Sequence, residues 1–117
     1  MKQTYNTVFH LDREEKLPLQ ITLGNIRNLF KEIENGQAII LANFKAPALF
    51  LKGSIDKEIY ELLKSVKNKN VKIYICENSL KMLNITKNEL IEECDFVQAG
   101  IKTLIELQNE GFAYIKP

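Results

Sequence analysis

The sequence predicts an α/β fold in which a parallel sheet lies between helices. Five strand patterns alternate with helical patterns along the chain, and each connection is long enough for a crossover. The run from Ala38 to Ala42 has no polar residue, which is typical of a central strand covered on both faces. With 117 residues, of which 45% are hydrophobic, the chain fits one domain over residues 1–117.

The first strand is predicted from Tyr5 to Leu11, a segment rich in β-formers. A helix follows, because apolar residues recur there at helical spacing, namely Leu19, Leu23, Ile26, Phe30 and Ile33. Pro18 suits its first turn, and Asn35-Gly36 predicts a left-handed stop. The second strand is expected over Gln37 to Asn43.

The middle of the chain predicts two helical segments before the third strand. Lys45 to Leu51 forms a short apolar turn, which Gly53 ends. Ser54 is expected to cap the next helix, whose apolar face comprises Ile55, Ile59, Leu62 and Val66. The third strand is Val71 to Cys76, and a brief helix follows from Asn78 or Ser79 to about Leu83.

The last third predicts two more strands and one more helix. The sequence from Thr86 to Glu89 matches a capping box that starts a short turn. Asp95 to Gln98 is predicted as the fourth strand and Phe112 to Lys116 as the fifth. Between them, Gly100 to Asn109 predicts a helix with three inward residues, Ile101, Leu104 and Ile105.

Composition excludes several classes of function. Sixteen basic and fifteen acidic side chains leave a net charge near +1, so we expect no nucleic-acid or membrane partner. The first residues lack the apolar core of a secretion signal and the apolar runs are too short to span a bilayer, so we expect a cytoplasmic protein. The sequence has no CxxC pair, no metal-ligand spacing and no glycine-rich phosphate loop, which predicts no metal and no cofactor.

Three polar residues end predicted strands at the carboxyl edge of the sheet, where ligands bind in parallel folds: His10, Asn43 and Cys76. We expect a packing or hydrogen-bonding role for His10 rather than that of a base. Asn43 is either a polar wall of the site or a loop cap. Cys94 opens the fourth strand and is expected at the opposite edge, roughly 15 Å from Cys76. A disulfide between them is therefore not expected, because it requires Cα atoms within about 7 Å.

Cys76 allows two interpretations. A cysteine at a strand-to-helix junction meets unpaired N–H groups and the positive end of the helix dipole, which favour the thiolate. The N–H groups of Asn78, Ser79 and Leu80 would then hold an anion there. Cysteine is also a common core residue, and Glu77 would raise the thiol pKa if its carboxylate faced the sulfur. The sign of the pKa shift stays open at this point.

Four segments together resemble the small DsrE/DsrF-like (YchN-like) proteins. They are Val8-Phe9-His10-Leu11-Asp12, Gly24-Asn25-Ile26-Arg27-Asn28-Leu29, Ile75-Cys76-Glu77-Asn78-Ser79-Leu80 and the terminal Glu110-Gly111-Phe112-Ala113-Tyr114-Ile115-Lys116-Pro117. The resemblance implies a three-layer α/β/α sandwich with a five-stranded parallel sheet, assembled as a homotrimer or a hexamer.

The resemblance also implies a chemistry. In the sulfur-relay members of this family, a cysteine at the matching position accepts sulfane sulfur as a persulfide and passes it to a sulfur carrier protein. Cys76 would hold that role as a sulfurtransferase or sulfur carrier, although Glu77 stands where relay members tend to have small residues. The alternative is a non-catalytic oligomeric module that binds a small molecule or a protein, with Cys76 buried.

Overall fold

A computed structural model describes residues 3–117. The strands are β1 (Thr7–Leu11), β2 (Ala38–Ala42), β3 (Val71–Cys76), β4 (Cys94–Val97) and β5 (Ala113–Ile115). The helices are α1 (Lys16–Glu32), α2 (Lys57–Val66), α3 (Glu77–Leu83) and α4 (Gly100–Asn109). Two short 3₁₀ turns, Ala46–Phe50 and Lys87–Glu89, lie between them.

The five strands form one parallel sheet in the order β4-β3-β2-β1-β5. The central strand is β2, and all five of its residues are buried, because both of its faces are covered. Its register places Leu41 level with His10 on β1 and with Tyr74 on β3. The predicted α/β class and the central position of this strand are both confirmed.

The two faces of the sheet carry separate cores. The larger core joins the sheet to α1, α2 and α3, and its helical members are Leu19, Leu23, Ile26, Ile59, Leu63, Val66 and Leu80. The smaller core joins the opposite face to α4 alone and comprises Val8, Ile39, Leu41, Leu104, Leu107 and Phe112. Helices on both faces of a parallel sheet make this a three-layer α/β/α sandwich.

The end of α1 differs from the prediction. Residue Ile33, which follows the helix, has an extended backbone with φ −125°, and the left-handed stop predicted at Asn35-Gly36 is wrong. Gly36 is needed for another reason. A Cβ there would overlap the carbonyl oxygen of Tyr5, so the glycine lets the segment before β2 approach the segment before β1.

The cap of α2 also differs. The helix begins at Lys57, so its N-cap is Asp56, and the prediction of Ser54 is wrong. The Asp56 Oδ1 atom accepts a hydrogen bond from the Ile59 N–H at 3.0 Å. Its Oδ2 atom lies 3.2 Å from the Lys16 ammonium on α1. The capping box after α3 is confirmed, because the Thr86 N–H donates to Glu89 Oε1 at 3.0 Å.

In α4 the inward position predicted for Leu104 is confirmed, whereas the inward positions predicted for Ile101 and Ile105 are wrong. The buried residues of α4 are Gly100, Leu104 and Leu107, whereas Ile101 is 63% exposed and Ile105 is 54% exposed. The first residue sets this rotation, because Gly100 packs directly against the end of β3. Each residue advances the helix by about 100°, so Ile101 and Ile105 then face outward. None of the helices within residues 3–117 has the length and hydropathy needed to cross a membrane.

Candidate functional site

The Cys76 thiol lies at the carboxyl edge of the sheet, between two helix starts. Cys76 is the last residue of β3 and the N-cap of α3. Its Sγ accepts a hydrogen bond at 3.2 Å from the N–H of Gly100, the first residue of α4. The residue is only 5% exposed. The sulfur is therefore nearly enclosed and faces backbone donors, which favour a negative charge there.

Gly100 allows α4 to reach the sulfur. A Cβ at this position would lie 3.2 Å from Cys76 Cβ and 3.3 Å from Asn43 Cβ, closer than ordinary van der Waals contacts. A side chain here would require its neighbours to shift by a few tenths of an ångström, at the point where α4 donates to Sγ. The glycine is thus required for a close approach of backbone to a functional atom.

Ser79 lies on the other side of the sulfur. It is buried in the first turn of α3, and its Oγ accepts a hydrogen bond from the Phe44 N–H at 2.8 Å. This bond uses a lone pair of Oγ, so the hydroxyl hydrogen of Ser79 stays available to the Cys76 thiol, whose pKa Ser79 lowers. Phe44 has a left-handed backbone with φ 54°, which is unusual for a bulky residue. The segment after β2 therefore holds Ser79 in the orientation that serves the thiol.

These donors determine the acidity of the thiol. Burial alone would raise the pKa of Cys76, but the polar groups of Ser79 and Asn78 at the start of α3, together with the Gly100 N–H that donates to the sulfur, outweigh it. The pKa of Cys76 is therefore lower than its ordinary value. Glu77 forms an ion pair with Lys87, whose Nζ lies 3.3 Å from its Oε1. The sign left open by the sequence is thus resolved in favour of the thiolate.

Cys94 has the opposite environment. It opens β4 level with Ile73, three residues before Cys76, which corresponds to about 10 Å along the strands. This separation is shorter than the roughly 15 Å expected but still beyond the reach of a disulfide. Both cysteines are free thiols. Burial, with Glu93 and Asp95 nearby, raises the pKa of Cys94 to about 12, so this thiol is unreactive at neutral pH.

His10 and Asn43 form a hydrogen-bonded pair beside the thiol. His10 Nε2 lies 2.8 Å from Asn43 Oδ1, and His10 Nδ1 lies 2.6 Å from the Tyr114 hydroxyl oxygen. An amide oxygen only accepts, so Nε2 donates to Asn43 and Nδ1 of the neutral ring accepts from Tyr114. Sequence reasoning did not connect Tyr114 to His10, because the pairing of β5 with β1 follows from no local pattern.

Asn78 links α3 to the loop before α4. Its N–H donates to the carbonyl oxygen of Gln98 at 3.3 Å, and its side-chain Oδ1 lies 3.5 Å from Gln98 Nε2. The side chain therefore has a structural partner, and its backbone N–H also contributes to the lowered pKa of Cys76. Among residues 3–117, no cluster of three or more histidine, cysteine or acidic side chains is arranged to hold a metal ion.

The fold and this site define a small α/β protein with one buried cysteine of lowered pKa at a strand-to-helix junction. Residues 45–117 match the model of the DsrE/DsrF-like family, and the chain belongs to that family, which is generally linked to sulfur relay. None of the curated proteins searched matches this chain.

Two solved structures share the architecture. The protein of unknown function MTH1491 from Methanobacterium thermoautotrophicum is 26% identical, with a TM-score of 0.84, and the match covers 97% of this chain and 99% of that one. The ychN protein from E. coli is 12% identical with a TM-score of 0.65, and 97% and 98% of the two chains are covered. The second likeness concerns the fold alone.

Proposed function

We propose that this protein accepts sulfane sulfur on Cys76, holds it as a persulfide or thiosulfonate, and passes it to an acceptor thiol. The observation that carries the proposal is the set of donors around Sγ. The Gly100 N–H donates to the sulfur at 3.2 Å, and Ser79, whose Oγ accepts from the Phe44 N–H, also lowers the pKa of the thiol. A nucleophilic thiolate needs such an environment, and the buried Cys94 lacks it.

The transfer requires two displacements and no external oxidant. The Cys76 thiolate attacks the outer sulfur of a donor persulfide, R–S–SH. A new S–S bond forms at Sγ, the S–S bond of the donor breaks, and the electron pair leaves with RS⁻. An acceptor thiolate then attacks the outer sulfur on Cys76 and releases the Cys76 thiolate. Tetrathionate would leave the thiosulfonate form by the same displacement: the thiolate attacks one of its two central sulfurs, the bond between those sulfurs breaks, and thiosulfate leaves with the electron pair.

Two kinds of partner belong to the proposal. The acceptor is a sulfur carrier protein that presents its own thiol. The second partner is another copy of this chain in a homotrimer or hexamer, because α4 and β5 expose large apolar residues, namely Ile101, Ile105, Tyr114 and Ile115. We assign the function to the cytoplasm, where reducing conditions maintain free thiols such as Cys76 and Cys94.

One observation favours a second candidate function. Cys76 is only 5% exposed, as expected for a core cysteine in a non-catalytic oligomeric module that binds a small molecule or a protein. The two candidates differ in a measurable property. A core cysteine resists sulfur donors, whereas an activated thiolate reacts with them.

Intact-mass measurements separate the two. The reduced protein is incubated with a low-molecular-weight persulfide, with thiosulfate or with a polythionate. The sulfur-transfer proposal predicts a covalent adduct of the transferred sulfur group on the wild type and on Cys94→Ser, but not on Cys76→Ser. Cys94→Ser is the matched control, because it removes the other thiol. No adduct with any donor, together with slow alkylation of Cys76, would support the non-catalytic alternative.

A further inference from the structure

The pair formed by His10 and Asn43 lies on the same face of the sheet as the thiol. Side chains alternate along a strand, and Val8 and Leu41 belong to the core under α4. His10 and Asn43, each two residues further along, therefore lie on the α4 side. Cys76 lies there too, because its sulfur accepts the N–H of Gly100 from α4.

Asn43, the first residue after β2, lies beside Cys76. Ala42 is level with Ile75 in the register of β2 and β3, so the next residues, Asn43 and Cys76, are level as well. Adjacent strands are about 4.8 Å apart. The Cβ atoms of both residues surround Gly100, since a Cβ there would lie 3.3 Å from one and 3.2 Å from the other.

The hydrogen bond from His10 fixes the direction of the Asn43 carboxamide. The oxygen accepts from His10 Nε2 on the β1 side at 2.8 Å. The strand β2 lies between β1 and β3, so a carboxamide whose oxygen is bound on the β1 side directs its nitrogen away from His10. Within residues 3–117 this nitrogen has no hydrogen-bond partner, and its two hydrogens are available to a ligand.

We propose that Asn43 donates a hydrogen bond to the outer sulfur of the persulfide on Cys76, and that His10 and Tyr114 are the positioning residues that hold its carboxamide. This inference rests on the proposed function. In the proposed arrangement the inner sulfur keeps its bond from Gly100, and the outer sulfur, which carries the negative charge, meets the Asn43 amide. The carboxamide does not titrate, so it stabilises charge without moving a proton.

A hydrogen bond from Asn43 would change the equilibrium in which sulfur is exchanged between Cys76 and a small thiol. The exchange interconverts Cys76–S–S⁻ plus RSH with Cys76–S⁻ plus RSSH. A hydrogen-bond donor to the outer sulfur stabilises only the state in which Cys76 carries that sulfur. Hydrogen bonds to charged groups are strong, so Asn43→Ala should lower the ratio of persulfide to thiolate by roughly tenfold. Asn43→Asp should lower it further. Its carboxylate still accepts from His10 but presents a negative oxygen to the sulfur.

The positioning role of His10 is tested with a cycle of variants. His10→Ala should reduce the persulfide ratio in the wild-type background and have no further effect in Asn43→Ala, because it acts through Asn43. His10→Gln, which keeps an N–H donor, should restore part of the loss. Tyr114→Phe should give a smaller reduction, since it removes only the bond at Nδ1. Asn109→Ala, an exposed asparagine at the end of α4, is the matched control.

The experiment equilibrates each purified protein with a fixed ratio of low-molecular-weight persulfide to thiol and quantifies the persulfide by intact mass. The alkylation rate of Cys76 by iodoacetamide, which lacks an outer sulfur, reports whether the thiol environment is intact in each variant. The alkylation rate of Asn43→Ala should stay within about threefold of the wild-type rate. A persulfide ratio of Asn43→Asp equal to that of the wild type would overturn the inference. A wild-type protein that takes up no sulfur would instead overturn the proposed function.

Discussion

Replacing Ser79 by alanine tests how the thiol is activated. The change removes the hydroxyl that helps to lower the pKa of Cys76 and leaves the Phe44 N–H without the acceptor that it has at 2.8 Å. A hydrogen bond to a charged group contributes about 1.5–3 kcal/mol, and one pKa unit corresponds to about 1.4 kcal/mol. The pKa of Cys76 should therefore rise by about one to two units in Ser79→Ala.

The assay is the rate of alkylation of Cys76 by iodoacetamide as a function of pH, in a Cys94→Ser background. Only the thiolate reacts, so the midpoint of the pH profile reports the thiol pKa. Ser79→Ala should move this midpoint upward and slow alkylation at neutral pH by on the order of tenfold or more. Ser65→Ala is a matched control, because Ser65 is exposed on α2 and its hydroxyl donates to the Leu62 carbonyl oxygen.

The stability of Ser79→Ala supplies a second measurement. The orphaned Phe44 N–H should cost about 1–3 kcal/mol in the free energy of unfolding, measured with urea. An unchanged pH midpoint in a variant that has lost this stability would refute the reasoning. It would mean that Ser79 anchors Phe44 but does not activate the thiol.

Three further predictions concern Gly100, Asp56 and the two faces of α4. Gly100→Ala should destabilise the fold by about 1–3 kcal/mol and raise the thiol pKa, whereas Gly24→Ala, with open space around its Cβ, should not destabilise it. Hydrogen bonds from Ile59 and Lys16 lower the pKa of Asp56 below its ordinary 3.8. The wild type should therefore exceed Asp56→Ala in stability by the full amount above pH 3.8. This difference, measured by thermal unfolding, should vanish as the pH falls through the folded-state pKa of Asp56. Leu104→Ala should cost about 2–5 kcal/mol in urea unfolding, and Ile105→Asp should shift the oligomeric state in sedimentation rather than the fold. A urea-unfolding loss in Ile105→Asp as large as that in Leu104→Ala would contradict the observed rotation of α4.

The sequence predicted the strands and helices well because their signals are local. The uninterrupted apolar run of β2 and the cysteine at the end of β3 were both read from adjacent residues. The errors arose where a tertiary contact decides between two local options. Ser54 and Asp56 are both good caps, and the helix starts after Asp56, which also forms an ion pair with Lys16 on α1.

In the site, too, the features with local sequence signals were predicted, and those that depend on tertiary contacts were not. The positions of His10, Asn43 and Cys76 at one edge follow from strand ends in a parallel sheet. The acidity of the thiol does not follow from sequence, because it depends on Gly100, 24 residues further along the chain, reaching the sulfur. The bond between His10 and Tyr114 depends on strand order, which joins residues far apart in the chain.

The burial of Cys76 separates two properties of the thiol that are usually linked. Its donors control how much thiolate exists, whereas the 5% exposure of the residue controls how often a reagent can reach it. A reagent too large for this narrow access reaches the sulfur only after a local opening of the segments that enclose it, such as α4 or the residues around Phe44. The observed rate is the product of an opening equilibrium and the intrinsic reactivity of the thiolate. The same cysteine therefore serves as a built-in probe of how tightly α4 is docked to the sheet.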